Sequence, residues 1–324
     1  MTNFAKPSYP RPDDAGRYNP EFVVPSGIYH QPVESGHWQL QDCLVCPEKR
    51  HELYGFNNNA IYKYNTRTRH VDTITSKYSF IPVSLNIGFD HAVITGNRGE
   101  LSVINLHSKV GKSVRMGATI NNCIGFSHDP LYMTPQEQRN TTPHLLVSSN
   151  DRSIRILSFP DLVPMGKITM PQAVNHTAVS PDGRLMVTVS DDDTVKVFDI
   201  RGSTYTMVQT LNTGHQASYS CNWNRLSDQF AVATAQGYVD VYDIRFPRKL
   251  AQIRSTELEK YINVVDTRNF EEVQRIRVGE DRDPITGVTF SPDGSTLYAG
   301  MRHRILEYDV NTLDRCRFGT TSLA

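Results

Sequence analysis

The sequence predicts an all-β fold built as a propeller, and three observations predict it. The stretch VNHTAVSPDGRLMVTVSDDDTVKVFDIR, residues 174–201, alternates strand patterns with turn signals. Copies of that stretch recur along the chain at a spacing near 40 residues. A fourth strand pattern follows most copies. Four short strands per unit at this period is how a propeller blade reads in sequence.

Within the stretch, Val174 to Val179 is the first strand. Ser180-Pro181-Asp182-Gly183 turns the chain, with Pro presetting φ and Gly free to take a positive φ. The next strand, Arg184 to Val189, sets Leu185, Val187 and Val189 on one face and Met186 and Thr188 on the other. Ser190 to Asp193 turns the chain again, and Thr194 to Asp199 is a third strand rich in β-branched residues. Apolar groups on both faces require cover on both sides, which the other copies supply.

Taken in order, residues 1–36 carry Pro7, Pro10, Pro12, Pro20, Pro25 and Pro32 and few apolar residues, and read as an extended arm. Glu21-Phe22-Val23-Val24 is the part of the arm with strand character. Residues 37–324 form the propeller. The last large residue of each third strand is Tyr64, Ile104, Leu157, Phe198, Tyr242, Val265 and Tyr308, at spacings of 40, 53, 41, 44, 23 and 43. The blades span about 38–77, 80–116, 118–170, 174–212, 217–255, a partial 259–279, and 285–318. Their fourth strands fall at Val71–Ile74, near Ser113–Met116, and at Met165–Thr169, Thr206–Leu211, Leu250–Arg254, Val273–Val278 and Leu313–Phe318.

Two spacings stand out. The 53 comes from an insertion, His128 to Pro143, polar and proline-containing, which reads as a long loop. The 23 is short of a repeat by about 20 residues. Either Val265 marks only a decorated loop, or the propeller is seven-bladed by repeat count with its sixth blade truncated to about two strands. YINVVDTRNFEEVQRI copies the third-strand, turn, fourth-strand pattern of VDVYDIRFPRKLAQI, which favours truncation through a splice variant, a gene-model error or a deletion. Residues 259–279 are then expected to form a two-stranded hairpin beside six near-complete blades.

Composition narrows the function classes. Thirty-four basic and 34 acidic residues cancel, giving no global attraction to nucleic acid or an anionic membrane. No apolar run is long enough for a membrane span, and MTNFAKPSYPRPDD has no apolar core of a secretory signal. Five cysteines, Cys43, Cys46, Cys123, Cys221 and Cys316, form a sparse, odd set suited to a reducing compartment. A location in the cytoplasm, the nucleus or both is expected.

The repeats resemble the WD-repeat (WD40) family. The resemblance rests on the two Ser-Pro-Asp-Gly turns at 180–183 and 291–294, on Ser190 to Asp199, and on Asn150 to Leu157. It covers about residues 38–318. It implies that a turn Asp, here Asp151 or Asp192, bonds a His and a Ser or Thr to brace its blade, and that Gly214-His215 is the Gly-His signal that opens a repeat, with His215 in the brace. No repeat has Trp at the anchor position, and Asn58, Arg98, Gln236 and Arg302 stand where other repeats have the turn Asp. More narrowly, His37 to Gln41 with Tyr54-Gly55, Tyr219 to Asn224, and INVVDTRNFEEVQ resemble a group of uncharacterised fungal and plant WD-repeat proteins. That group has an intact blade before the last stretch and implies no activity.

Candidate chemistry reads as structure. Cys43-Leu44-Val45-Cys46 has metal-ligand spacing, but residues three apart on a strand face opposite sides and no second ligand pair accompanies them. Leu106 to Ser113 resembles a phosphate loop, yet Leu106 replaces the first glycine and strand rather than helix follows. His176, His215, Ser218 and Ser220 lie near several Asp residues, with no strained nucleophile turn among them. No catalytic residue, cofactor or metal is expected. Asp199-Ile200-Arg201, Asp243-Ile244-Arg245 and Asp266-Thr267-Arg268 each end a third strand. The Asp can cap a turn and the Arg can cover apolar surface. Phe198 to Arg201 and Tyr242 to Arg245 also resemble the motif by which WD-repeat substrate receptors dock on cullin–RING ubiquitin ligases, the Arg carrying the contact. The expected function is a non-catalytic scaffold for other proteins, monomeric outside its complexes, with a ligase adaptor as the alternative partner and Arg201, Arg245 and Arg268 as the partner-binding residues.

Overall fold

The structure is a computed structural model, and it describes residues 22–37, 42–75, 78–128, 133–246, 248–254, 261–267, 269–278 and 283–311. Its first strand is β1 (Val23–Tyr29). The first blade holds β2 (Leu44–Val45), β3 (Glu52–Asn57), β4 (Ala60–Asn65) and β5 (Val71–Thr73). The second holds β6 (Pro82–Gly88), β7 (His91–Gly96), β8 (Glu100–Asn105) and β9 (Gly111–Arg115). The third holds β10 (Asn121–Phe126), β11 (His144–Ser149), β12 (Ser153–Ser158) and β13 (Pro164–Thr169). The fourth holds β14 (Val174–Val179), β15 (Leu185–Ser190), β16 (Thr194–Arg201) and β17 (Thr204–Asn212). The fifth holds β18 (Ser218–Trp223), β19 (Gln229–Thr234), β20 (Tyr238–Asp243) and β21 (Lys249–Arg254). Then come β22 (Tyr261–Asp266) and β23 (Glu271–Arg277), and last β24 (Ile285–Phe290), β25 (Thr296–Met301) and β26 (Ile305–Val310).

These strands form six four-stranded antiparallel sheets and one two-stranded sheet, β22 with β23. The count of seven blades is therefore corrected to six. The segment around Val265 is the hairpin that the short spacing predicts. Packing explains the difference in kind. The anchors Tyr64, Ile104, Leu157, Phe198, Tyr242 and Tyr308 are all at most 6% exposed, whereas Val265 is only half-buried.

The last blade corrects a second expectation. Its order is β1-β26-β25-β24, so the outer strand comes from the N-terminal arm. Val23 pairs with Val310 and Tyr29 with Ile305. The stretch read as that outer strand, 313–318, lies outside the described residues. The arm thus contributes a strand to the last blade. Beyond β1 the chain crosses three blades, through Val33 N–H to Met301 O (3.0 Å), Glu34 N–H to Phe56 O (2.9 Å) and Gly36 N–H to Pro82 O (3.0 Å). The insertion at 128–143 is not all loop. It contains the short helix α1 (Pro135–Asn140), started by a capping box in which Thr134 Oγ1 accepts from Glu137 N–H and Glu137 Oε2 accepts from Thr134 N–H.

The core lies between blades. Ile124 and Phe126 of β10 pack on Val93, Leu101 and Val103 of the second blade, and Cys221 and Trp223 of β18 pack on Val187, Val195 and Val197 of the fourth. Each fully buried side chain of this size contributes about 1.5–3 kcal/mol. Polar stitches add register. Asn86 Nδ2 donates to Ile124 O (3.1 Å), Asn122 Nδ2 to Val174 O (2.8 Å) and Asn175 Nδ2 to Ser218 O (3.0 Å), each reaching the inner strand of the next blade. Leu85 N–H to Asp42 O and Cys43 N–H to Thr286 O carry the ring from the second blade through the first to the last.

Candidate functional site

The turns that end the first strands are built from their own side chains. Ser180 Oγ donates to Asp182 Oδ1 (2.6 Å) and accepts from Leu185 N–H (2.9 Å), with Gly183 at φ 71°. Ser291, Asp293, Thr296 and Gly294 repeat this arrangement, with Gly294 at φ 68°. In the fifth blade Asn224 does the same work, its Oδ1 accepting from Gln229 N–H (3.1 Å). The turns of the fourth and fifth blades touch through Asp182 N–H to Ser227 Oγ (3.1 Å).

Arg201 and Arg245 stand at this end of the same two blades. Asp199 lies opposite Leu185 and Asp243 opposite Gln229, which is the same register in adjacent sheets. Each arginine is held by the Asp two residues before it. Arg201 Nε donates to Asp199 Oδ2 (2.7 Å), and Arg245 Nε donates to Asp243 Oδ1 (2.8 Å) while its Nη2 reaches Asp243 Oδ2. The bond from Arg245 holds the Asp243 carboxyl at about 2, well below the usual carboxylate range. The guanidinium groups still face water, with side chains 85% and 61% exposed. Arg184, paired with Asp182, joins them on the same rim. So do the exposed apolar side chains Leu226 and Phe246, at 79% and 51%, with the Arg245 guanidinium 6.0 Å from the Phe246 ring centre. Arginine mixed with exposed aromatic and aliphatic side chains is the composition of a protein-binding patch. Arg268, the third arginine of the motif, lies outside the described residues. Sequence reasoning missed Arg184, Leu226 and Phe246. The signal for Leu226 and Phe246 was present as apolar residues within or beside turns, and that for Arg184 as a basic residue directly after Ser180-Pro181-Asp182-Gly183.

The brace residues take unexpected partners. Asp192 Oδ1 accepts from Thr194 Oγ1 (2.8 Å) and Ser190 Oγ (3.1 Å), and its Oδ2 accepts from Lys196 Nζ (3.1 Å). Asp151 Oδ1 accepts from Ser153 Oγ (2.5 Å), and its Oδ2 meets Arg155 Nη2. The cation four residues on stands where the family resemblance implied His. His215 is held elsewhere. It stacks on Tyr238 at 4.6 Å, sits 3.1 Å from Gln252 Nε2, and lies 3.8 Å from the buried carboxylate of Asp240. Asp240 occupies the place of Lys196 and Arg155 with the charge reversed. Gln236 stands where other repeats have the turn Asp, and Lys249 pairs with Asp240 from β21 at 2.8 Å.

The remaining candidates are separated. Cys43 Sγ points to Val83 O (3.5 Å) and Cys46 Sγ to Lys49 O (3.4 Å). Both thiols are pushed by burial to about 12. Among the described residues no three of His, Cys, Asp and Glu group as metal ligands. Residues 106–110 form a turn between β8 and β9, with Asn105 Oδ1 accepting from His107 N–H and Ser108 N–H, and 111–113 run into β9. His176 borders the axial cavity 3.5 Å from Cys221 Sγ, and Ser218 Oγ is buried without a hydrogen-bond partner. No helix of the described residues is long and apolar enough to cross a membrane.

Blades of this build, with braced turns and stitched inner strands, make the chain a β-propeller similar to those of WD-repeat proteins. Residues 165–199 match the family model described as "WD domain, G-beta repeat", which covers β13 through most of β16. The chain is also similar to the uncharacterised protein C4G3.03 of Schizosaccharomyces pombe, at 24% identity over 332 residues, covering 90% of this chain and 92% of that one. Propellers of this family are typical of protein-interaction scaffolds and are generally non-catalytic.

Proposed function

We propose that this protein is a non-enzymatic scaffold whose partner proteins bind the rim formed by the turns of the fourth and fifth blades. The observation that carries the reading is the patch of Arg184, Arg201, Arg245, Leu226 and Phe246, exposed at one end of the fourth and fifth blades, whose first turns bond to each other. Arginine and aromatic anchors supply most of the energy at such interfaces. The buried, free cysteines Cys43, Cys46, Cys123 and Cys221 support a working place in the cytoplasm, the nucleus or both.

A second reading is favoured by the shared register of Arg201 and Arg245, namely a substrate receptor that docks on a cullin–RING ligase adaptor through these arginines. One experiment addresses both readings. The wild type and an Arg201→Ala/Arg245→Ala double variant are purified by affinity from cells and the eluates compared by mass spectrometry. Loss of specific partners from the double variant is expected. Identical eluates would remove the rim from consideration, and a wild-type eluate without any ligase adaptor would sink the second reading.

A further inference from the structure

In each four-stranded sheet the outer strand has one edge that no described strand covers. Such an edge invites pairing with another chain unless charge, proline or shortness guards it. Most outer strands here are guarded. β5 has three residues and carries Asp72. β9 carries Lys112 and Arg115, β13 carries Pro164 and Lys167, and β21 carries Lys249 and Arg254. β1 is interrupted by Pro25, where its register shifts. β17, TYTMVQTLN, has none of these guards. At nine residues it is the longest outer strand of the six sheets, and it holds no charge, no proline and no glycine. The bulge that sets Val208 out of register is no special guard, since Met165 of β13 and Leu250 of β21 are set out in the same way. The chain around β17 is described without a break from residue 133 to 246, and Met207 and Val208 at its middle are 54% and 58% exposed.

We infer that β17 is a dimerisation edge, where two copies of the chain pair antiparallel about a twofold axis and join their fourth blades into one continuous sheet. Charge selects a second copy as the occupant. In a twofold seam a strand meets its own residues, so a strand charged with one sign sets like charges against each other. The charge of β5 is negative, and those of β9, β13 and β21 are positive, so each of these edges repels its own copy. β17 brings no charge to the seam. Its exposed residues Thr204, Thr206, Val208 and Thr210 are β-branched, and such residues pair well across strands. The chain is then a dimer on its own rather than the monomer expected from its sequence. Arg201 lies opposite Thr204 at one end of β17, so antiparallel pairing turns the two arginine-bearing rims to opposite sides of the dimer. A scaffold joined in this way engages two partners at once. The inference does not rest on what the rim binds.

The test is sedimentation velocity on the full chain over a concentration series from about 1 to 100 μM. One strand pair buries less than a standard interface, so a rise from monomer to dimer is expected within that range. Val208→Lys and Val208→Glu, at an exposed position, are each expected to keep the Tm of the wild type and to weaken the dimer at least about tenfold. Mixed in equal amounts, the two variants are expected to recover it, because opposite charges then face each other across the seam. Arg201→Ala/Arg245→Ala is expected to dimerise as the wild type does. Hydrogen exchange gives a second readout, with amides of β17 slowed at the highest concentration and those of β9 and β21 unchanged. A wild type that stays monomeric throughout would overturn the proposal. So would a dimer that Val208→Lys leaves intact, which would place the contact elsewhere, or β17 amides slowed only when another protein is added, which would give the edge to a different partner.

Discussion

His176 borders the axial cavity, and burial pulls its imidazole down to about 4. Over roughly pH 4 to 6.5 the unfolded chain protonates His176 while the folded state does not, so this group makes stability rise with pH. His176→Gln is expected to lessen the loss of stability on acidification from pH 6.5 to 4.5, as read by urea midpoints. Superimposable pH profiles for the wild type and the variant would refute this. The shift was not legible in the sequence, because it comes from inner strands converging on one axis. The turn Asp residues were legible from their local pattern. Their cationic partners four residues on were not, since only the strand's pleat brings Lys196 over Asp192.

At the level of elements, the blade strands were read closely because period-two apolar patterning is a local signal. β1 was not assigned to the last blade because Pro25 and Gly27 blur its pattern and its partner β26 is nearly the whole chain away. The hairpin of β22 and β23 was read from the short spacing and from the likeness of YINVVDTRNFEEVQRI to VDVYDIRFPRKLAQI. It is fastened to β1, since Val23 N–H donates to Gln274 Oε1 (2.9 Å) and Gln274 Nε2 donates to Val23 O (2.7 Å), and Ile276 and Val278 pack against the last blade. Among the described residues it pairs with no further strand, and a two-stranded sheet is marginal in water. Amides of β22 and β23 should therefore exchange with solvent about a hundredfold faster than those of β15 and β16. Equal protection by hydrogen-exchange mass spectrometry would show that the hairpin is as well held as a complete blade.

For the molecule as a whole, no inner strand pair lies between β18 and β24 among the described residues. Val288 and Phe290 of β24 are 45% and 53% exposed. Inserting a copy of residues 217–235 after Glu257 should cover Val288 and Phe290 and raise the Tm by roughly 5 °C. A chain so completed that melts no higher than the present one would mean that their exposure carries no penalty. The sequence by itself determined the repeat, the strand count of each blade and the place where a repeat falls short, because each of these is set by local pattern and by arithmetic along the chain. Only the tertiary structure decided which segment closes the last blade, which turn residues meet on one rim, and that Val288 and Phe290 of β24 stay exposed. Those outcomes depend on contacts between residues far apart in sequence, which come together only when the sheets are arranged around a common axis.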